Sequence, residues 1–198
     1  MRPGTLIGAC CVVFAALAGG CTSAHSRDVA VSPRSSASSR RTAYGKEWTT
    51  TNLTITIDTS YCYADAEANC RRYGRLYQWD AAVRACQSLG AAWRLPTDDE
   101  WHQLAARYGG ASDHSADSGR SAYTALIQGG RSGFDAVLGG GRVDGQYSRL
   151  DAHGFYWTAS GADSAHAVFY NFGRGGLALH RQDGGDKRSA FSVRCVRD

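Results

Sequence analysis

Four cysteines constrain this chain more than any other feature of its sequence: Cys62, Cys70, Cys86 and Cys195. A cysteine thiol can form a disulfide, hold a metal ion or act as a nucleophile, and the redox state of the compartment decides which of these is favoured. The structures that the chain can adopt therefore depend on whether it is exported from the cytoplasm.

The N-terminus predicts export. Arg2 precedes an apolar run, TLIGACCVVFAALAGG, which has the length of a signal peptide and is too short and too rich in glycine for a membrane span. The run ends in LAGGC, which resembles the lipobox of bacterial lipoproteins, except that Ala18 stands where leucine is usual. We predict a signal peptide over residues 1–20 and a lipid on Cys21. Cleavage without lipidation and cleavage at the earlier Cys10 are the alternatives.

Residues 21–44 are rich in Ser and Arg and show no apolar periodicity. Such a segment cannot bury enough apolar surface to offset the entropy of ordering it. We interpret it as a lipidated tether that connects the membrane to a folded body over residues 45–198. The sequence thus predicts a protein of the bacterial cell envelope, anchored by its lipid at the outer membrane, in the periplasm or at the cell surface.

The charge distribution argues against nucleic acid as a partner. The formal net charge is +4, but residues 1–44 hold five arginines and one aspartate, whereas residues 45–198 hold 17 basic and 17 acidic side chains. The body is therefore neutral, and we expect no basic surface that would bind nucleic acid.

Export favours disulfides for the four cysteines of the body, and four cysteines allow three pairings. Cys62 and Cys70 bracket a short polar loop, so a local Cys62–Cys70 bridge is natural. A Cys86–Cys195 bridge would tie the end of the chain to an early helix across 109 positions. A zinc site built from all four thiolates is the alternative, but no pair has the tight spacing that zinc sites prefer.

Two helices are predicted in the first half of the body. In WDAAVRACQSLG, Asp80 can cap a helix whose apolar face contains Ala82, Cys86 and Leu89 and which ends at Gly90.

The second helix follows Thr97 and ends at Gly109. Thr97 and Glu100 have the spacing of a capping box, and the two aspartates between them lie where the helix dipole favours negative charge. The same carboxylates, with His102 beside them, could form a ligand set or an acid–base pair. We favour the helix start, with Trp93 and Trp101 packing into the core beside it.

The remaining segments predict strands and loops. NLTITIDTSYCY alternates like a strand, and GFYWTAS, AHAVFYNF, GLALHRQ and FSVRCV are strand candidates separated by glycine-rich turns. Residues 110–154 are mostly irregular. The fold class predicted is α+β, with two early helices, a long irregular loop region and a small antiparallel sheet stapled by disulfides.

Four motifs resemble the Fibrobacter succinogenes major paralogous domain, in the same order and at similar spacings over residues 52–198: CYADAEANCRRYGRLYQWDAAVRAC, WRLPTDDEW, GFYWTAS and FSVRCVRD. This resemblance implies a C-type-lectin-like domain, related to the fold of the formylglycine-generating enzyme. In that fold an early helix is joined by a disulfide to the last strand, which here implies Cys86 and Cys195. Function does not transfer with this scaffold, because it hosts many unrelated activities.

Neither activity known for related scaffolds has its residues here. Calcium-dependent sugar binding would need a Trp-Asn-Asp strand motif, which is absent, and Asp183 and Asp186 fall short of the roughly six to eight oxygen ligands that calcium requires. Formylglycine-type chemistry needs reactive cysteines, whereas we expect all four here to be committed to structural disulfides. The histidines are scattered and form no HExxH motif. We therefore expect no enzyme, no metal site and no cofactor.

A binding surface remains as the leading hypothesis. It would be formed by aromatic and arginine residues of the late loops and strands, which are residue types enriched at recognition surfaces. The candidates are Tyr147, Arg149, His153, Tyr156, Tyr170, Asn171, Arg174, His180 and Arg181, with Phe155, Trp157 and Phe172 beside them. Strand alternation should turn about half of them inward. The expected ligand is a glycan or a protein; a periplasmic inhibitor or immunity lipoprotein, and an enzyme on the same scaffold, are the alternatives.

Overall fold

The structure is a computed structural model that describes residues 39–41 and 45–198. The predicted signal peptide, Cys21 and most of the predicted tether lie outside the described residues. The described residues form four α-helices: α1 (Glu67–Tyr73), α2 (Trp79–Gln87), α3 (Asp98–Ala106) and α4 (Arg120–Leu126). No helix among them is both long enough and apolar enough to cross a bilayer.

Ten strands follow one another along the described chain: β1 (Ser39–Arg41), β2 (Glu47–Thr49), β3 (Ser60–Tyr61), β4 (Leu76–Tyr77), β5 (Gly141–Val143), β6 (Gln146–Ser148), β7 (His153–Gly161), β8 (His166–Gly173), β9 (Ala178–Asp186) and β10 (Val196–Arg197). They form small antiparallel sheets, in the orders β1-β2-β10, β3-β4, β5-β6 and β7-β8-β9. The α+β class predicted from the sequence is confirmed.

Both disulfides expected from the sequence are present. Cys86 on α2 is bonded to Cys195 immediately before β10, and Cys62 is bonded to Cys70 on α1. Disulfides are typical of proteins that fold outside the cytoplasm. The longer bridge fixes the C-terminal segment against the helical half of the domain.

The helix α3 begins as predicted. The Thr97 hydroxyl accepts a hydrogen bond from the Glu100 N–H at 3.2 Å, and the Glu100 carboxylate accepts one from the Thr97 N–H at 2.9 Å. Trp101 is fully buried, and its ring stacks on Tyr170 with centroids 5.1 Å apart. The polar residues at this helix start therefore serve the fold, as the sequence analysis favours.

Three expectations are corrected. Gln78 occupies the N-cap position of helix α2 without a capping hydrogen bond from its side chain, so Asp80 lies within the first turn, where the helix dipole still favours its charge. Residues 52–58 form no strand, because this extended segment makes isolated backbone contacts, such as Leu53 N–H to Val193 O at 3.1 Å, rather than a ladder. Of FSVRCV, only Val196 lies in a strand.

The segment 190–195 instead crosses the core and bonds to a different partner at almost every residue. Isolated bridges join Phe191 to Tyr77 and Ser192 to Tyr156, and the Cys195 carbonyl accepts from the Thr49 N–H at 2.9 Å. All six residues are buried. Continuous burial explains the apolar run that resembles a strand in the sequence.

Two elements do not follow from the sequence periodicity. Ser39–Arg41, inside the predicted tether, pairs with β2, since adding an edge strand requires backbone hydrogen bonds and no apolar pattern. Helix α4 is one of two helices beyond the predicted pair. Its first N–H groups are bound by the Asp117 carboxylate, and Gly119 before it has a φ of 80° and leaves no space for a side chain beside Leu179.

Candidate ligand-binding site

A short hairpin, β5–β6, lies next to the β7–β8–β9 sheet, and a backbone bridge joins Gly140 before β5 to Gly154 in β7. Asp144 and Gly145 connect its strands with φ values of 48° and 79°, as expected for a two-residue hairpin turn. Two backbone hydrogen bonds between Arg142 and Ala190, of 2.9 and 2.8 Å, attach the hairpin to the C-terminal segment. These hydrogen bonds hold the hairpin in a defined position beside the sheet.

One face of the hairpin and the sheet enclose an open cavity of about 270 Å³, which we call the hairpin pocket. Its floor is made of Phe155, Phe169 and Phe191, whose ring centroids lie 4.9 to 6.0 Å apart. Gly141 makes this approach possible, because a Cβ there would lie 3.0 Å from Phe155 and 3.1 Å from Phe191. Val143 closes the outer edge and is 42% exposed.

The rim of the hairpin pocket is polar. Ser148, Arg149, Asp186 and Ser189 line it above the phenylalanine floor. Hydrogen bonds from Arg188 lower the pKa of Asp186 to about 2, so its carboxylate is ionised at neutral pH. The rim therefore offers one cation, one anion and two hydroxyl groups.

A chain of side chains orients Arg149 at this rim. The His153 ring stacks on Phe155 at 5.5 Å, and its Nδ1 lies 2.9 Å from Oδ1 of Asn171. An Nδ1–H that donates to Asn171 leaves Nε2 as an acceptor, and Nη1 of Arg149 lies 3.4 Å from it. His153 thus links the aromatic floor to the charged rim.

The other face of the hairpin carries a tyrosine cluster. The Arg142 guanidinium lies over the rings of Tyr61 and Tyr147, at 4.3 and 5.6 Å from their centroids, and Tyr63 packs against Tyr147 at 5.3 Å. The Tyr147 hydroxyl donates to the Asp65 carboxylate at 2.5 Å. Burial and this carboxylate raise the pKa of Tyr147 to about 12, so the phenol remains protonated at neutral pH.

Four of the predicted site residues are brought together by this geometry. Arg149 lies at the pocket rim, His153 and Asn171 support it, and Tyr147 occupies the opposite face of the same hairpin.

The prediction that Tyr156 and Tyr170 belong to the binding surface is wrong. Both are fully buried, and the Tyr156 hydroxyl donates to the Val137 carbonyl at 2.8 Å while that of Tyr170 donates to Asp98. Trp157 and Phe172 are also fully buried. Strand alternation turns Tyr156, Tyr170 and Phe172 into a core cluster away from the pocket. Trp157 lies on the same side of β7 as Phe155 and is buried beneath the pocket floor, against Phe169 and Phe191.

The last three candidates lie elsewhere. His180 contacts the Ser112 hydroxyl at 2.8 Å, and Arg181 forms an ion pair with Asp98, so both attach β9 to the helical half of the domain. Arg174 is exposed in the turn between β8 and β9 and lines a different cleft. The single continuous surface expected from the sequence is therefore divided.

Sequence reasoning missed Arg142 and the tyrosines that flank it. The signal was present in GGGRVDGQYS, where Asp-Gly between two short extended runs indicates a hairpin. Tyr61 and Tyr63 border Cys62, so the Cys62–Cys70 disulfide holds their segment in place. Within the described residues, the one grouping with metal-ligand geometry is Cys62, Glu67 and Cys70, and its two sulfurs are joined in that disulfide.

Comparison with known proteins identifies the family. No curated protein and no solved structure matches the chain. The model of the Fibrobacter succinogenes major domain matches residues 34–197, which include every described residue except Asp198. The match begins before β1, in agreement with the pairing of that strand to β2. The chain therefore belongs to the Fibrobacter succinogenes major domain family.

Proposed function

We propose that this protein is a non-enzymatic binding module that recognises a glycan in the hairpin pocket. The observation that carries this proposal is the combination of a phenylalanine floor with a charged and hydroxylated rim in an open cavity of about 270 Å³. A sugar ring has an apolar C–H face and a polar edge of hydroxyl groups. The face would lie on Phe155, and the hydroxyls would bond to Arg149 and Asp186.

The electrostatics of the pocket support binding rather than proton transfer. A general acid or base functions best with a pKa near the operating pH. The pKa of Asp186, the carboxylate at the rim, lies near 2 and is therefore shifted away from neutrality. Fixed charges of this kind suit the orientation of a ligand.

We also propose that the scaffold is C-type-lectin-like and that a lipid on Cys21 anchors it in the cell envelope. The disulfide between α2 and the C-terminal segment supports the lectin-like scaffold, since that fold joins an early helix to its last strand. The two disulfides and the LAGGC sequence support export and anchoring.

The proposal is tested by applying the full-length protein, purified in detergent, to a glycan array and measuring affinities for the glycans that bind. Arg149→Gln should weaken binding about tenfold, because it removes a charge-assisted hydrogen bond. Phe155→Ala should weaken it at least as much, with a melting curve to verify folding. Arg84→Gln, an exposed change on α2, is the matched control and should have no effect.

Several outcomes would contradict the proposal. An array without any bound glycan, or binding that survives both pocket substitutions, would exclude the hairpin pocket as a glycan site. Saturable binding to a protein that is lost with the same two substitutions would replace the glycan by a protein ligand. Turnover of any bound molecule would overturn the non-enzymatic assignment.

A further inference from the structure

A second concave site lies outside the hairpin pocket and shares no lining residue with it. It consists of two cavities, of about 600 and 280 Å³, that adjoin each other, because both are lined by Arg72, Tyr73, Gln128 and Val137. We call it the arginine cleft. One wall is the segment 50–55 with the end of α1, and the other is the loop that follows α4.

Positive charge exceeds negative charge along this cleft. Its lining contains four guanidinium groups, from Arg71, Arg72, Arg174 and Arg194, and two carboxylates, from Asp135 and Asp151. Among the residues that the structure describes, no carboxylate lies within ion-pair distance of Arg71, Arg72 or Arg174. These three cations are available to a ligand.

The fourth guanidinium adds a fixed charge beneath the cleft. Arg194 is fully buried, and it donates to Oδ1 of Asn52 at 2.7 Å and to the backbone carbonyls of Thr49, Phe134 and Asp135 at 2.7 to 2.9 Å. All four acceptors are neutral. A buried cation whose partners carry no charge projects a positive potential into the adjacent cavity, where solvent screening is reduced.

The inner end of the cleft carries an unused hydrogen-bond donor. Tyr123 on α4 is only 5% exposed, it lines the cavity, and its hydroxyl has no partner among the described residues. The neighbouring hydroxyl, of Tyr73, donates to Asp151 at 2.8 Å. Among the described residues, the fully buried side-chain atoms without a partner are Trp101 Nε1, Arg142 Nε and Ser192 Oγ, so the Tyr123 oxygen itself is accessible and can donate to a ligand in the cleft.

Arg174 and Arg72 line the same cavity as these phenols, and the Arg72 guanidinium lies over the Tyr73 ring at 4.9 Å from its centroid. Burial raises the pKa of Tyr123, and the positive charge of Arg174 opposes that shift. Burial and Asp151 likewise raise the pKa of Tyr73, against the charges of Arg72 and Arg174. The Arg174 charge therefore acts on both hydroxyls, and the Arg72 charge acts on that of Tyr73.

We propose that the arginine cleft binds a small ligand through an oxyanion held by Arg72, Arg174 and the Tyr123 hydroxyl. The oxyanion is a carboxylate or a phosphate, since both accept two or more hydrogen bonds from guanidinium groups. The larger outer cavity, lined by Arg71 and Gln128, accommodates the rest of the molecule. The ligand class is thus a small acidic molecule, such as an acidic saccharide or a sugar phosphate.

The test uses the full-length protein and four probes: glucuronate, glucose 6-phosphate, inorganic phosphate and uncharged glucose. Calorimetry and amide chemical shifts measure affinity and location. We expect saturable binding of at least one anionic probe with shifts around α4 and Arg174, binding at least tenfold weaker for glucose, and weakening by salt. Glucuronate without phosphate binding would identify a carboxylate, and the reverse would identify a phosphate.

Substitutions connect binding to the proposed groups. Arg174→Gln and Tyr123→Phe should each weaken binding of the anionic probe about tenfold, as expected for a lost hydrogen bond to a charged group. Arg84→Gln and the hairpin-pocket substitution Arg149→Gln are controls that should leave it unchanged, so that this site and the hairpin pocket are tested separately. Absence of binding by every anionic probe, equal binding of glucose, or insensitivity to both cleft substitutions would overturn the proposal.

Discussion

The Asp98 carboxylate accepts hydrogen bonds from both Nε and Nη2 of Arg181, at 2.9 and 2.6 Å to the same oxygen. The pair fixes the first turn of α3 to β9, and the Tyr170 hydroxyl donates to the other oxygen of Asp98 at 3.1 Å. An arginine that the sequence analysis assigns to ligand recognition therefore joins the sheet to the helical half of the domain.

Arg181→Gln should lower the free energy of unfolding by about 1 to 2 kcal/mol, because a partly buried bidentate ion pair is lost. It should not change ligand binding at either site. Urea denaturation measures the first effect and the glycan and anion titrations the second. Arg188→Gln, which breaks an exposed pair with Asp186, is the control and should leave the denaturation midpoint unchanged, because solvent screens that pair. Wild-type stability in Arg181→Gln would show that the pair does not hold the two halves together.

We expect the contribution of the Glu100 carboxylate to the stability of the start of α3 to be lost in acid. Burial alone would raise its pKa, but hydrogen bonds from Arg94 at 2.7 Å and from the Thr97 N–H lower it to about 2, from an ordinary value of 4.5. The unfolded chain therefore binds the proton more readily than the folded chain. The stabilisation is complete above about pH 5 and is lost as the pH falls toward 2.

Glu100→Gln keeps the capping geometry and removes the charge. It should lower the free energy of unfolding by about 1 to 2 kcal/mol at neutral pH, allowing for solvent screening. The difference from the wild type should disappear near pH 2. Asp99→Asn, an exposed neighbouring carboxylate, provides the comparison. A difference that stays constant from pH 7 to pH 2 would mean that the Arg94 ion pair does not lower this pKa.

The two disulfides should contribute unequally to stability. On the chain-entropy model, the Cys86–Cys195 loop of 109 residues contributes about 4 to 5 kcal/mol, and the Cys62–Cys70 loop of 8 residues contributes about 2 to 3 kcal/mol. Replacing both cysteines of each pair by alanine and comparing denaturant midpoints measures these contributions. Equal losses, or a greater loss for the short loop, would show that local strain or contacts outweigh loop entropy.

We predict that a lipid on Cys21 anchors the protein to a membrane. Cys21→Ala should move the mature protein from the detergent phase to the aqueous phase in a two-phase partition, because the substitution removes the acylated residue. Mass spectrometry of the wild type should show an N-terminus modified by acyl chains. A wild-type protein that partitions into water, or a substituted one that remains in detergent, would exclude a lipid on this residue.

Local signals in the sequence predicted part of the fold well. The Thr97 capping box, the apolar face of α2 and the central strands β7 to β9 depend on neighbours within a few residues, so periodicity and capping chemistry reveal them. The C-terminal segment was predicted poorly because several of its partners, including Tyr77 and Thr49, are more than a hundred residues away and others lie in separate strands. Because the segment is buried along its whole length, it has the composition of a strand, but it does not form the continuous hydrogen bonds of a strand with one partner.

The residues of the candidate site were harder to predict than the fold, because their positions depend on contacts between distant parts of the chain. Tyr156 and Arg149 have the residue types expected at a recognition surface, and alternation alone could not establish which of them faces the core. The hydrogen bond of Tyr156 to Val137 and the contact of Arg149 with His153 decide this. The arginine cleft was not predicted, because Tyr123 and Arg174 lie 51 positions apart and meet only in the folded chain.

The antiparallel pairing of Glu47 with Arg197 places an early and a late segment of the domain side by side. A domain whose two ends meet can be inserted into a surface loop of a host protein without separating the ends of that loop. The same adjacency permits circular permutation: a linker could join residue 198 to residue 39, which keeps β1, with new termini opened at the exposed Gly129. Such a permuted chain would retain both disulfides and would exchange only one peptide connection for another.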